Sequence, residues 1–545
     1  MAVARGYIGT AIDRLVGHSL GLSPETCNYE KQELTIPLTN GITLAADLYK
    51  PVNHAPAGTV LVRSPYSRGM MMAIGSARIY ASRGYQVLFV SSRGTFGSTG
   101  DFDGGFCEAE DGQGVVEWMR QQTWYTGSFA TLGMSYSSFT QWALLRDPPA
   151  DMVAALILVG PHDYAKHIWG TGAFNMQHIS WSHTIATQET ASLAERYKAL
   201  NPAKHLRSVV EALPLVEGVH SHFKDSRSAP WLNHAITHPD LTDPSWAPVQ
   251  HGQALDKANI PILLMTGWHD IFFQQTMEQY ERLSQRGCVV ALMVGPWTHL
   301  EMQNQTTTPL MLKWLERHLA GKPDVDTGSP VQVYVTGTKS SHWLELPKWP
   351  PATNSYELYL SSKGSLGNEK PSPDTKPSTF TFNPASPTPV IGGPLMVGGG
   401  AVNDTALSAR QDVLVFTTEP LSKSLQIMGK PHVKLIHSSD CPSVDILVRL
   451  SVVDQQGVSR NITQQYVRLD EAEDIKSIDV VLADTAYAID RGERIRIMIA
   501  GGSFPMYSRN PGTGDFPETT KMLHRARHHI YHGAKGVSQV ILPIS

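Results

Sequence analysis

FATLGMSYSSFTQWALLRD, residues 129–147, decides how this chain is read. Its first part, FATLGM, is a short apolar run with the length and composition of a buried strand. From Tyr136 onward the apolar residues fall at helical spacing. Between the two stands Ser135, two residues after Gly133. A sharp strand-to-helix turn lifts a serine oxygen clear of the backbone, and the helix N-terminal amides then point at whatever that oxygen attacks. The glycine keeps a side chain out of the crowded turn. A serine before a helix is also a common N-cap, so this stretch taken singly leaves both roles open.

Working outward, similar runs flank it. GTVLVRS (58–64) and YQVLFVSS (85–92) precede it, and AALILVG (154–160) follows. Each is short, rich in β-branched residues and closed by a polar or glycine-containing turn. That is the texture of a doubly wound parallel sheet covered on both faces, an α/β fold. The series breaks over 161–251, where His, Trp, Ser and Ala abound without a strand signal, and resumes with IPILLMTG (260–267) and CVVALMVG (288–295). A helical cap inserted between two strands of one sheet is the simplest account. A helix near 307–320 and the strand PVQVYVTG (330–337) follow, and a proline-rich boundary lies at 347–352.

Beyond that boundary the pattern changes. HVKLIHSS, DILVRLSVVD, IDVVLADTAYAI and RIRIMIAGG alternate apolar with polar residues between Gly, Pro, Asn and Asp clusters. This is an all-β sandwich or jelly roll. The expected organisation is therefore an α/β-hydrolase catalytic domain over 1–160 and 252–350, a helical cap over 161–251 and a β-sandwich over 351–545.

Two further motifs sharpen the chemistry. GWHD (267–270) closes one strand and GPWTH (295–299) closes the next. Ser135, Asp270 and His299 thus each lie just past the C-terminal end of a strand, where open α/β sheets gather their ligands. Their order along the chain is Ser, Asp, His, as a hydrolase sheet of this kind requires. His299 would take the proton of Ser135 and return it to the leaving group, while Asp270 fixes the imidazole tautomer. His269 and the His162–Asp163 pair are rivals of lower rank. In SPYSRG (64–69), Tyr66 stands where a second oxyanion donor belongs, beside the Tyr136 amide; a packing tyrosine is the alternative.

Other features exclude more than they assign. RGTFGSTGDF (93–102) lacks the GK[ST] ending of a phosphate loop and reads as a tight turn, with Arg93 and Asp101 in polar contacts. HRARHHIYH (524–532) has no matching carboxylate or cysteine spacing, so strand and loop are expected there, with no metal and no cofactor. The four cysteines form no CxxC pair. Net charge is −4, too small to favour nucleic acid or an anionic membrane, and no apolar run approaches the roughly 20 residues of a span. Asp13 and Arg14 interrupt the N-terminal segment, which does not read as a secretory signal; a cytoplasmic protein acting on a small molecule is expected. Oligomeric state stays open, a homodimer included.

These residues carry a resemblance. SPYSR, RGTFGSTGDF, EAEDG (108–112), GMSYSSFTQW, GWHD and GPWTH, with VLVFTTEPL (413–421) and SFPMYSRNPGTG (503–514) near the end, resemble the blocks of the cocaine-esterase-like acyl hydrolases. That family also holds the X-prolyl dipeptidyl peptidases and the α-amino-acid ester hydrolases. The resemblance spans nearly the whole chain. It implies a catalytic triad of Ser135, Asp270 and His299, an oxyanion hole from the Tyr66 hydroxyl and the Tyr136 amide, and a build of hydrolase core, helical cap and jelly roll. Trp169, Phe174 and Trp181 are implied as aromatic pocket residues. Two departures stand out. Ser138 and Ile271 occupy positions where the family usually has glycine, which bears on substrate preference. The implied activity is hydrolysis of an ester or amide through an acyl-enzyme. The same triad would serve an acyltransferase, thioesterase or cyclase. It would equally serve a peptidase acting on X-Pro or α-amino-acyl substrates, with Asp163 or Glu189 as candidate partners for a free ammonium. A catalytically dead binding protein would lack a triad member, and none is missing.

Overall fold

The apolar runs of the N-terminal half become strands of one sheet. In the computed structural model of the chain, which describes residues 2–39, 41–190, 192, 202–224 and 228–545, these strands are β1 (Asn28–Pro37), β2 (Thr43–Val52), β3 (Thr59–Ser64), β4 (Gln86–Ser91), β5 (Phe129–Met134), β6 (Met152–Leu158), β7 (Ile262–His269) and β8 (Val290–Thr298). β1 pairs with β2 and β2 with β4, both antiparallel. β4, β3, β5, β6 and β7 then run parallel in that order. At Gly267 of β7 an added Cβ would sit 2.1 Å from the Trp297 carbonyl, so β8 passes directly alongside. This is the mixed, mostly parallel sheet of an α/β-hydrolase.

The side chains explain why. Every residue of β3, β4 and β7 is buried, as a strand covered on both faces demands. Alternate residues of successive strands (Val60 and Val62, Val87 and Phe89, Leu132, Leu156 and Leu158, Leu263 and Met265) share one hydrophobic cluster. Met311, Leu312 and Leu315 of the helix Thr307–His318 complete it from one face. Two-residue periodicity in the strands thus meets three-and-four periodicity in the helix across one layer. These elements belong to a first compact unit, Met1–Tyr164, Thr242–Gly267 and Gln275–Gln332.

The second unit comprises Ala165–Leu241, Trp268–Gln274 and Val333–Ser545. It joins the helices Gln177–Thr187, Leu215–His222 and Pro230–Thr237 to a domain of antiparallel strands. Strand Arg494–Ala500 shows how that domain is built. Ile495, Ile497 and Ile499 enter its main core, while Met498 and Ala500 face a smaller cluster that includes Ala173 from the inserted segment. Backbone bonds fasten the two parts together: Arg468 N–H to Thr171 O and Ser508 N–H to Phe174 O, each 2.9 Å, and Met176 N–H to Met506 O, also 2.9 Å. The expected strand 330–337 forms as Val331–Gly337, and its end pairs parallel with Thr485–Ile489 in this second unit.

The histidine-rich run supplies strand Ala526–Ile530. His528 is fully buried, stacks on Phe380 at 4.4 Å, and shares a hydrogen bond of 3.1 Å with His437. Burial pushes the His437 ring down to about 4, so the pair is neutral at pH 7. These rings serve the core of the β domain. Among the described residues, no group of three or more His, Cys, Asp or Glu is arranged to hold a metal ion.

Candidate active site

Ser135 joins β5 to the helix Tyr136–Leu144 at φ 60° and ψ −123°, a conformation that side-chain-bearing residues rarely adopt. Its amide is held by Leu158 O at 2.9 Å, and its carbonyl accepts the Phe139 amide at 3.1 Å. The turn is as tight as the sequence implied. A Cβ on Gly133 would lie 2.4 Å from Ser137 O, so only glycine fits.

The departure at Ser138 finds its answer on the next strand. The Ser138 hydroxyl lies 2.7 Å from Gly133 O and 2.8 Å from Leu158 O, and it accepts the Leu158 amide at 3.0 Å. Room for its Cβ comes from Gly160, where an added Cβ would stand only 2.1 Å away. The side chain in the elbow is thus accommodated by a glycine across from it. Gly160→Ala should therefore cost about 1–3 kcal/mol by overpacking, and Ser138→Gly in the same chain should recover more than half of it. Urea unfolding of the two single variants and the double variant measures this; additive losses would contradict the pairing.

His299 follows directly on β8, is 1% exposed, and places Nε2 2.9 Å from Ser135 Oγ. Its position is fixed by a capping box: Glu301 accepts the Thr298 amide at 2.7 Å and the Thr298 hydroxyl at 2.8 Å. Asp270 follows directly on β7, is buried, and accepts the Phe272 amide at 3.1 Å.

The rival His162 is otherwise engaged. Its ring lies 3.2 Å from Gln279 Nε2 and 3.7 Å from Glu278, while its amide and that of Asp163 both donate to Gln275 Oε1 at 2.9 Å. His269 is the last, buried residue of β7. Glu189 is exposed on the inserted segment.

Tyr66 lies two residues past β3, half-buried, with its amide on Ser64 Oγ at 3.2 Å. Tyr136 is the first helical residue after Ser135, so its amide belongs to the first turn, where no carbonyl of the helix itself can serve it. Its ring is wholly buried, and its hydroxyl donates to Glu108 Oε1 at 2.9 Å. Glu108 also receives a hydrogen bond from Arg63. Sequence reasoning missed this contact. EAEDG was visible as a motif, but nothing in it told which arginine each acid would meet. Asp111 meets Arg93 in a two-pronged pair of 2.5 and 3.0 Å, so the partner of Arg93 is Asp111, and Asp101 is exposed. Three residues apart on one helix face, Glu108 and Asp111 meet arginines from two neighbouring strand ends.

The three aromatic residues of the insertion lie within the second unit. Trp169 and Phe174 are 2% and 0% exposed and pack on each other at 5.2 Å, with the Trp169 indole donating to Ala235 O at 2.7 Å. Trp181 is half-buried and stacks on His178 at 5.2 Å.

Similarity to known proteins extends over most of the chain. The family model of the X-Pro dipeptidyl-peptidase (S15 family) matches residues 40–301, and that of the X-Pro dipeptidyl-peptidase C-terminal non-catalytic domain matches 323–541. The chain is 25% identical to cocaine esterase of Rhodococcus sp. (strain MB1 Bresler), over 93% of this chain and 97% of that protein. It is 22% identical to a putative serine esterase of Mycobacterium bovis, over 93% and 94%. In fold it is similar to an α-amino acid ester hydrolase (TM-score 0.79, 19% identity, 96% of this chain and 98% of that one). It is likewise similar to an aminopeptidase from a Thaumarchaeota archaeon (TM-score 0.78, 20% identity, 96% and 98%).

Proposed function

The chain belongs to the cocaine-esterase-like and X-Pro dipeptidyl-peptidase family of serine hydrolases, which cleave ester or amide bonds, and from that premise we propose that Ser135 is its nucleophile. One observation carries the proposal: the Ser135 hydroxyl, on a turn of forbidding backbone geometry, lies 2.9 Å from a buried imidazole nitrogen of His299. A strained serine paired with a histidine is what activated nucleophiles need.

The mechanism follows from where charge develops. His299 Nε2 accepts the Ser135 proton as Oγ attacks the substrate carbonyl. The oxygen of the tetrahedral adduct takes hydrogen bonds from the Tyr136 amide and the Tyr66 hydroxyl. Collapse breaks the bond to the leaving alkoxide or amine, to which the imidazolium returns the proton. Water, deprotonated by the same imidazole, then releases the acid from the acyl-enzyme. Asp270 is proposed as the carboxylate that orients the His299 ring, an assignment supported by its place at the end of β7. Trp181, the least enclosed of the three aromatic residues, is the one proposed to touch substrate. We further propose a jelly-roll topology for the β domain and a cytoplasmic location. The four cysteines, all free thiols, support a reducing compartment; no helix among the described residues is long and apolar enough to cross a membrane.

An acyl-enzyme leaves a kinetic signature. Esters sharing one acyl group but differing in leaving group should give the same ratio of hydroxamate to free acid when hydroxylamine competes with water. A ratio that changes with the leaving group would mean no common intermediate and would sink the reading. A ratio of hydroxamate far above that of free esters in solution would favour acyl transfer as the natural activity.

A further inference from the structure

The buried carboxylate of Glu108 is not used by the mechanism above, although it sits directly behind the elbow. It is the first residue of the helix Glu108–Arg120, 4% exposed, where the helix N-terminus favours a negative charge. It accepts hydrogen bonds from Arg63, at the end of β3, and from the Tyr136 hydroxyl at 2.9 Å. Room for the guanidinium comes from Gly112 of the same motif, where a Cβ would stand 2.4 Å from Arg63 Nη1.

Around this contact the Tyr136 ring is fenced on three sides: by Phe102 at 5.8 Å, Phe139 at 5.5 Å and Tyr164 at 6.0 Å. Gly105, at φ 108°, lies where a Cβ would be 3.2 Å from the Tyr136 hydroxyl and 2.8 Å from Phe139. The cage thus admits the phenol in one pose. The residue so held is the one whose own amide is proposed to meet the oxyanion. Ring and amide leave the same Cα, and that Cα directly follows a strained serine.

We propose that Glu108 is a positioning residue of the oxyanion hole: by gripping the Tyr136 hydroxyl from behind, it fixes the backbone amide of Tyr136 in front. The inference rests on the nucleophile assignment of the preceding section. Burial pushes the Glu108 carboxyl up, against the pull of the Arg63 charge, and the grip on the Tyr136 hydroxyl is set by the hydrogen bond itself. The benefit is selective. A fixed amide matters little to a bound ester, whose carbonyl oxygen is nearly neutral, and much to the tetrahedral adduct.

Tyr136→Phe tests this with the cage and the Glu108–Arg63 pair left in place. Activity is normalised to the fraction of enzyme labelled by a fluorophosphonate. Removing a whole oxyanion donor costs about 10²–10³-fold, so loosening one should lower kcat about tenfold with KM within about twofold. The inhibition constant of a boronic acid, which forms a charged tetrahedral adduct on the serine, should rise by the same factor, while that of the product acid stays fixed. Glu108→Gln should behave alike, and the double variant should be no worse than either single one. If Glu108→Gln does not fold, Tyr136→Phe decides the matter. A Tyr136→Phe enzyme with kcat and boronate affinity within twofold of wild type overturns the proposal, whatever its melting temperature. An unlabelled, inactive wild type overturns the nucleophile assignment instead.

Discussion

Ser135→Ala is expected to lower kcat for ester hydrolysis by about 10⁵–10⁶-fold, with KM changed by less than about threefold. The reasoning is subtraction. The alanine keeps Cβ and therefore the packing of the elbow, whose tightness depends on Gly133 and on the Ser138–Gly160 contact rather than on the hydroxyl. Only the oxygen that faces His299 is lost. Residual activity of about 10³-fold over water should persist, because donors that polarise a carbonyl can still assist direct attack by water. Steady-state kinetics with a p-nitrophenyl ester, beside unchanged circular dichroism, checks both halves. A loss below tenfold would mean that the reacting serine lies elsewhere.

Asp270→Asn carries the second large effect. A carboxylate facing the far nitrogen of an imidazole accepts its proton and leaves the near nitrogen free to act as a base. An amide in the same place can present N–H and turn the tautomer round. The expected drop in kcat is about 10³–10⁴-fold, with little change in KM, since the lost interaction grows as the imidazolium forms. The buried setting of Asp270, with the Phe272 amide on its Oδ2, keeps the side chain from drifting to a new rotamer. Single-turnover kinetics at pH 7 and pH 9 separate a tautomer defect from a folding defect. A variant within tenfold of wild type would remove Asp270 from the mechanism.

Much of this was legible because parallel strands write themselves plainly. TVLVRS and QVLFVS are buried throughout and FATLGM up to its last residue, and no polar alternation blurs them. The ends of such strands are also where chemistry gathers, so Ser135 and His299 could be named before their 2.9 Å contact was known. β1 and β2 leave a weaker signal in the sequence for the converse reason. β1 pairs antiparallel with β2 along ten residues, and NYEKQELTIP carries five charged or amide side chains among its ten residues. The run IDVVLADTAYAI reads as one strand but divides into Lys476–Val481 and Thr485–Ile489, because the irregular break at 482–484 lies inside a pattern that keeps its apolar residues.

The polar interior was harder still. Composition locates acids and arginines, but pairing is set by which strand ends approach one helix. Arg93 therefore met Asp111 rather than Asp101, and Arg63 met Glu108 from a strand some forty residues earlier. The aromatic residues of the insertion illustrate the same limit. Trp169 and Phe174 close on each other and on Ala235 O, a choice of packing over exposure that no local pattern records.

The central claim is that Ser135 is an activated nucleophile, and covalent labelling by a fluorophosphonate, read by intact mass, tests it most directly. Wild type should gain the mass of one probe, and Ser135→Ala should gain none under the same conditions. Equal labelling of the two proteins, or a wild type that hydrolyses esters yet takes no probe, would contradict it.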